Sequence, residues 1–163
     1  MGSHTYTANM NKISKNMRRA VRGIVWSGNL GLAQAGRDIR NVSQALAPVD
    51  LGNLKRSHFM VSAVGDNAGL IAMFDNGKNE AARLQSLHIT AVSNALAQVS
   101  MSDKVIVAAT TYYAGLVHSS NRQPKREFLK RAAELNHMNA LSQVAKQVTK
   151  YLLRSAPHYR GKL

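Results

Sequence analysis

The chain contains no cysteine, only three prolines, and few aromatics, which make up 6% of its 163 residues. Without a thiol there is no disulfide framework, no thiolate metal centre and no cysteine nucleophile. Acidic residues are scarce as well: eight Asp and Glu stand against 22 Lys and Arg, a formal net charge of +14. That imbalance excludes an acidic solubiliser and favours an anionic partner, whether nucleic acid, an acidic protein surface or a membrane. Long apolar runs are missing too. A stretch such as Leu70 to Phe74 falls far short of the roughly 20 residues that cross a bilayer. The polar start, Met1 to Asn11, lacks the apolar core of a signal peptide, and Tyr6 stands where a myristoylation site needs Ser or Thr. The expectation is a soluble protein folded as one domain over residues 1–163.

What is present is 45% apolar residues and a positive charge gathered at the two ends. Residues 1–65 carry nine basic and two acidic side chains, net +7; residues 66–121 carry three and four, net −1; residues 122–163 carry ten and two, net +8. The ends are therefore expected to touch something anionic while the middle is mostly core.

From Met10 to Leu46 apolar residues recur at helical spacing, first Met10, Ile13, Met17, Ala20 and Ile24, then Leu32, Ala35, Ile39, Val42 and Leu46. Lys12, Lys15, Arg19 and Arg22 recur on the opposite face, giving an amphipathic helix with a basic back. Gly28 and Gly31 each cost about 1 kcal/mol relative to Ala and predict a bend or a break. Pro48 ends the pattern, and Ala47-Pro48-Val49-Asp50-Leu51-Gly52-Asn53-Leu54 reads as a compact turn. Phe59, Val61 and Ala63 alternate with His58, Met60 and Ser62 as in a half-buried strand. With the turn residues Gly65-Asp66-Asn67 and the apolar run after them, they predict a β-hairpin from about Lys55 to Phe74.

Further on, Leu84, Leu87, Ala91, Ala95 and Val99 fit a helix of small residues, with a strand over Leu87 to Ala91 as the competing reading. Lys104 to Thr110 is a β-branched strand. Pro124 can open a helix whose apolar stripe is Phe128, Ala132, Leu135, Met138, Leu141, Ala145, Val148 and Leu152. Residues 1–9 and 156–163 are expected to be extended arms. The fold class expected is α+β, with long N-terminal and C-terminal helices packed on a small, mostly antiparallel β-sheet.

Catalytic signatures do not emerge. His58, His88 and His118 are evenly spaced, but their neighbours share nothing, so they are expected to be surface or half-buried polar residues. No pair of histidines has metal-ligand spacing. The segment Ala72 to Asn79 departs from a phosphate loop at both ends, with Ala72 for the first Gly and Asn79 for Ser or Thr. Gly28, Gly31 and Gly36 lack the spacing of a dinucleotide fingerprint and the strand before it. The carboxylates are scattered and signal no acid–base pair. The reading is a protein that is not an enzyme and has no cofactor or metal. On physical grounds, Lys12, Lys15, Arg18, Arg19 and Arg22 on one helix, and Lys125, Arg126, Lys130 and Arg131 on another, could neutralise phosphates without reading sequence.

Three short motifs point further: Ala47-Pro48-Val49-Asp50-Leu51-Gly52-Asn53-Leu54-Lys55-Arg56-Ser57, then Tyr113-Ala114 after the strand, then Arg126-Glu127-Phe128-Leu129-Lys130-Arg131-Ala132. In order and spacing, over roughly residues 10–150, the chain resembles the tail-completion and head-to-tail joining (neck) proteins of tailed bacteriophages. The residues that carry the resemblance are Pro48, Asp50, Gly52, Leu54, Tyr113, Ala114, Arg126, Phe128 and Leu129. Val117-His118-Ser119-Ser120 replaces an acidic residue and glycine common in relatives, and Glu127 stands where many have proline. Whether the tail is contractile stays open.

The resemblance implies a structural virion protein, made in the host bacterial cytoplasm and built into the neck as a ring, commonly of six copies and sometimes of twelve. Connector or portal proteins would lie on one side, tail-tube proteins on the other, and genomic DNA would pass through the lumen. Candidate interface residues are Lys12, Lys15, Arg18, Arg19, Arg22, Lys125, Lys130, Arg131, Arg160 and Lys162. Their basic faces are expected to meet acidic surfaces of neighbouring rings, while the apolar faces hold the fold. The motif residues themselves are expected to serve folding: Pro48, Asp50 and Gly52 make the turn, and Leu54, Phe128 and Leu129 anchor the core. The alternative is a sequence-independent nucleic-acid-binding protein.

Overall fold

Helix α1 (Ser3–Leu46) runs for 44 residues without a break, about 66 Å of helix. The computed structural model describes residues 3–48, 52–75, 78–99, 104–111, 114 and 127–155, excepting the side chains of residues 3–8 and Lys78. The expected bend at Gly28 and Gly31 does not occur, and residues 3–9 are helical where an extended arm is expected. Residues 156–163 lie outside the described set. The helix closes at Leu46, two residues before Pro48, as the restriction on the residue preceding proline requires.

Close packing accounts for Gly23 and Gly31 in α1. Helix α4 (Phe128–Ser155) lies antiparallel along α1: Gly23 faces Tyr151, Gly28 faces Val148 and Gly31 faces Val144. A Cβ added at Gly31 would stand 2.5 Å from the Val144 Cα and 2.8 Å from the Gln143 carbonyl oxygen. Absence of a side chain there lets the two backbones approach, and the close packing offsets the helix-propensity cost. Nearer the other end, Asn139 donates to the Asp38 carboxylate at 3.0 Å.

After α1 come α2 (Asn53–Arg56), β1 (His58–Ser62), α3 (Lys78–Val99) and β2 (Val105–Ala109). Gly52, at φ 75°, precedes α2 in the left-handed region, where a side chain is disfavoured. β1 pairs antiparallel with β2, His58 opposite Ala109 and Ser62 opposite Val105. The expected hairpin is thus corrected. Past the turn the described backbone pairs with β1 only at Ala68, which exchanges two backbone hydrogen bonds with Met60, and Leu70 to Phe74 forms no strand. Gly69 explains the departure: at φ 68° it turns the chain away, and a Cβ there would collide with the His58 carbonyl oxygen.

β1 is buried at all five residues rather than at alternate ones, because both of its faces are covered, by α1 and by α3. Phe59 and Val61 pack with Val92, Ala95 and Val99 of α3. The helical reading of 84–99 holds over its strand competitor. The architecture is α+β, with long terminal helices and a small two-stranded antiparallel sheet.

Candidate assembly interface

The sequence motifs meet in one place. Ala47, Leu54, Ala114 and Phe128 form a buried cluster, with Leu46, Ala109 and Leu129 packed around it. Leu54 and Phe128 are almost wholly buried, so their expected anchoring role holds. Pro48 is half-buried beside them, while Asp50, Tyr113, Lys125, Arg126, Arg160 and Lys162 lie outside the described residues.

Glu127, just before Phe128, has φ 56°. Its carbonyl accepts the Arg131 amide at 2.8 Å and its carboxylate lies 3.6 Å from the Lys130 ammonium. Proline cannot take that backbone conformation, since its ring fixes φ near −65°. The residue at this position is therefore tied to its backbone conformation.

Two buried histidines correct another expectation. His58 and His88 are both fully buried; His118 lies outside the described residues. His58 donates from Nδ1 to the Leu54 carbonyl at 2.7 Å and packs on Phe128, ring centroids 5.3 Å apart. His88 sits within the α3 stripe Leu84, His88, Val92, Ala95 and Val99. Its Nε2 donates to the Gly69 carbonyl at 2.9 Å and its Nδ1 lies 2.8 Å from the Thr110 hydroxyl. Burial pushes both imidazoles below the ordinary value, and the Arg40 charge lowers His58 further. Both act as neutral struts: His88 ties α3 to the 69–74 segment and to the end of β2. Nε2 of His58, Oγ of Ser43, Nδ2 of Asn53 and Oγ1 of Thr111 are buried without hydrogen-bond partners. Among the described residues no group of three His, Cys, Asp or Glu could hold a metal ion.

The long helices carry the surface features. On α1 the apolar stripe Met10, Ile13, Met17, Val21 and Ile24 is exposed, Met17 by 63%. On α4, Leu135, Met138 and Leu141 are 69%, 66% and 66% exposed. These parts of the stripes expected to hold the fold therefore face outward, while Ala35 of the α1 stripe and Phe128 and Ala132 of the α4 stripe are buried as expected. On α4 only its first turns, Phe128 and Ala132, are buried, and farther along the side against α1 is formed by Val148 of the expected stripe together with Val144 and Tyr151, which lie outside it. No helix among the described residues is long and apolar enough to cross a membrane.

The basic candidates do not form one surface. Lys12, Lys15, Arg18, Arg19 and Arg22 are all exposed on the first turns of α1, and Lys130 and Arg131 are exposed on the first turn of α4. Because the helices are antiparallel, the two sets lie at opposite ends of the pair, about 40 Å apart. Lys146, Lys150 and Arg154, which the sequence reading passed over, are exposed at the α1 end instead. Their signal was the missing acid: no Asp or Glu follows Glu134. Trp26, 55% exposed one turn beyond Arg22, was also missed. Its signal was its spacing of four and seven residues from Arg22 and Arg19. Comparison with family models, curated proteins and solved structures returns no match for this chain.

Proposed function

We propose that this chain is a structural, non-enzymatic subunit of a tailed-bacteriophage virion, assembling as a ring at the head–tail junction to complete the tail or join it to the head connector. The observation that carries the reading is the outward apolar stripe of α4. Leu135, Met138 and Leu141 are each about two-thirds exposed, and covering them against another subunit would contribute about 3–6 kcal/mol per copy. A soluble monomer rarely leaves such a row unpartnered. The stripe Met10 to Ile24 of α1 offers a second apolar face on the same molecule. Two different faces per subunit are what a head-to-tail contact uses, and repeated head-to-tail contacts form a ring when the rotation between neighbours closes.

The clustering of Leu54, Ala114, Phe128 and Leu129 supports the family resemblance, because segments far apart in sequence contribute to a single core. The exposed Lys130 and Arg131 suit acidic faces on the connector or tail side. Light scattering over a concentration series, with negative-stain imaging, tests the reading. The expected result is a ring of several subunits that survives dilution and is captured by purified tails or heads lacking this protein. A monomer at every concentration, ignored by both, overturns it.

A further inference from the structure

The end of the helix pair where α1 begins and α4 finishes has a charge pattern that ring building through apolar stripes does not use. Within residues 3–36 of α1 and 135–155 of α4 there is no Asp or Glu. The same stretches hold eight cations: five on α1 from Lys12 to Arg22, and Lys146, Lys150 and Arg154 on α4. All are exposed. Gly23 packed on Tyr151 brings the two sets to the same end. Cations at steps of three and four along one helix repel each other, and no feature of the fold requires them there.

Trp26 decides what the cations are for. At about 100° per residue, Lys12, Lys15, Arg19, Arg22 and Trp26 fall within an arc of about 80°, and the stripe Met10 to Ile24 is centred about 180° away. The chain's single tryptophan therefore belongs to neither the core nor the apolar stripe; it ends a row of cations about 21 Å long. A row of Lys and Arg tracks a phosphodiester backbone, and an exposed indole face stacks an unpaired base. Acidic side chains would use the cations but not the indole face, which a stacked base would cover.

We propose that the face from Lys12 to Trp26, with Lys146, Lys150 and Arg154 at the same end, binds single-stranded nucleic acid without regard to sequence. Phosphates lie on the cations and a base stacks on Trp26. Because this face is opposite the α1 apolar stripe, the site stands or falls separately from ring formation.

Trp26 emission reports occupancy directly. It is followed while the full chain is titrated with an oligothymidylate of about fifteen nucleotides, the matching oligouridylate, a duplex and poly-glutamate. Both single strands should quench it, and log affinity should fall with log salt at a slope near −3.5 for about five phosphate contacts. Arg19→Ala with Arg22→Ala should reduce that slope by about 1.4. Trp26→Ala should weaken binding roughly 5- to 150-fold, read by anisotropy of a labelled strand, and Trp26→Phe should recover most of the loss. Poly-glutamate bound as tightly as the strands assigns the face to acidic proteins and overturns the proposal. Duplex bound equally well with Trp26 emission unchanged overturns it too. So does absence of binding at 50 mM salt by protein whose circular dichroism and mass in solution are native.

Discussion

His88 spends both ring nitrogens inside the protein, one on the Gly69 carbonyl and one at the Thr110 hydroxyl. A proton added there must displace the hydroxyl hydrogen bond and bury a charge. Its folded pKa, like that of His58, lies below the ordinary 6.5, so the folded state binds fewer protons than the unfolded chain. Stability is then fully present above about pH 6.5 and is lost as pH falls below it. Thermal unfolding should show a melting temperature that drops between pH 7 and pH 5, and His88→Gln, with no proton to gain, should flatten that drop. Glu127 offers a second test at this scale. Its left-handed backbone costs a side-chain residue about 1–2 kcal/mol, so Glu127→Gly should raise the stability seen in urea unfolding. Glu127→Pro should lower it sharply, because proline cannot adopt φ 56°.

Between elements, the three glycines of α1 facing α4 make different demands. At Gly31 an added Cβ meets backbone that cannot retreat, so Gly31→Ala should destabilise despite a helix-propensity gain of about 1 kcal/mol. At Gly28 the nearest atom is 4.0 Å away, and Gly28→Ala should stabilise by up to that amount. Gly23→Ala meets only the Tyr151 ring, a side chain that can swing aside, and should fall between. Chemical denaturation of the three variants ranks them. The three long helices were legible because a period of 3.6 is a local signal, whereas the four-residue α2 was read as turn and strand, and Val105–Ala109 was legible because β-branched residues crowd it. Strand pairing was not: β1 joins β2 across 51 positions, His58 to Ala109, and no local pattern reports that. Nor can periodicity say which way a stripe faces. It groups Leu135, Met138 and Leu141 correctly on one side of α4, but only the glycines of α1 decide that the opposite side is the one that docks. The cluster around Phe128 was legible as core, whereas Trp26 shares the helical spacing of Arg19 and Arg22 but, as an aromatic, falls outside a pattern read from charge alone.

For the whole molecule, two opposite responses to salt should separate its two kinds of contact. Subunits of formal charge +14 repel one another, so screening should favour a ring held by apolar stripes. The same screening should weaken any contact with phosphate. Sedimentation velocity between 50 mM and 500 mM salt should therefore show the assembled fraction rising. Leu135→Asp with Leu141→Asp should leave a folded monomer across that range, since both side chains are already in solvent. A ring of unchanged mass in the double variant would remove α4 from the interface. The length of α1 adds a last consequence. Its first turns, from Met10 to Val21, are largely uncovered, so they should fray most readily, and they contain five tryptic sites between Lys12 and Arg22. Trypsin should trim the free subunit to a fragment beginning after Arg22 and spare the same bonds once a neighbour or a strand lies over them. The rate at which that fragment appears would serve as a clock, marking in a mixed population which copies have found their place and which still wait.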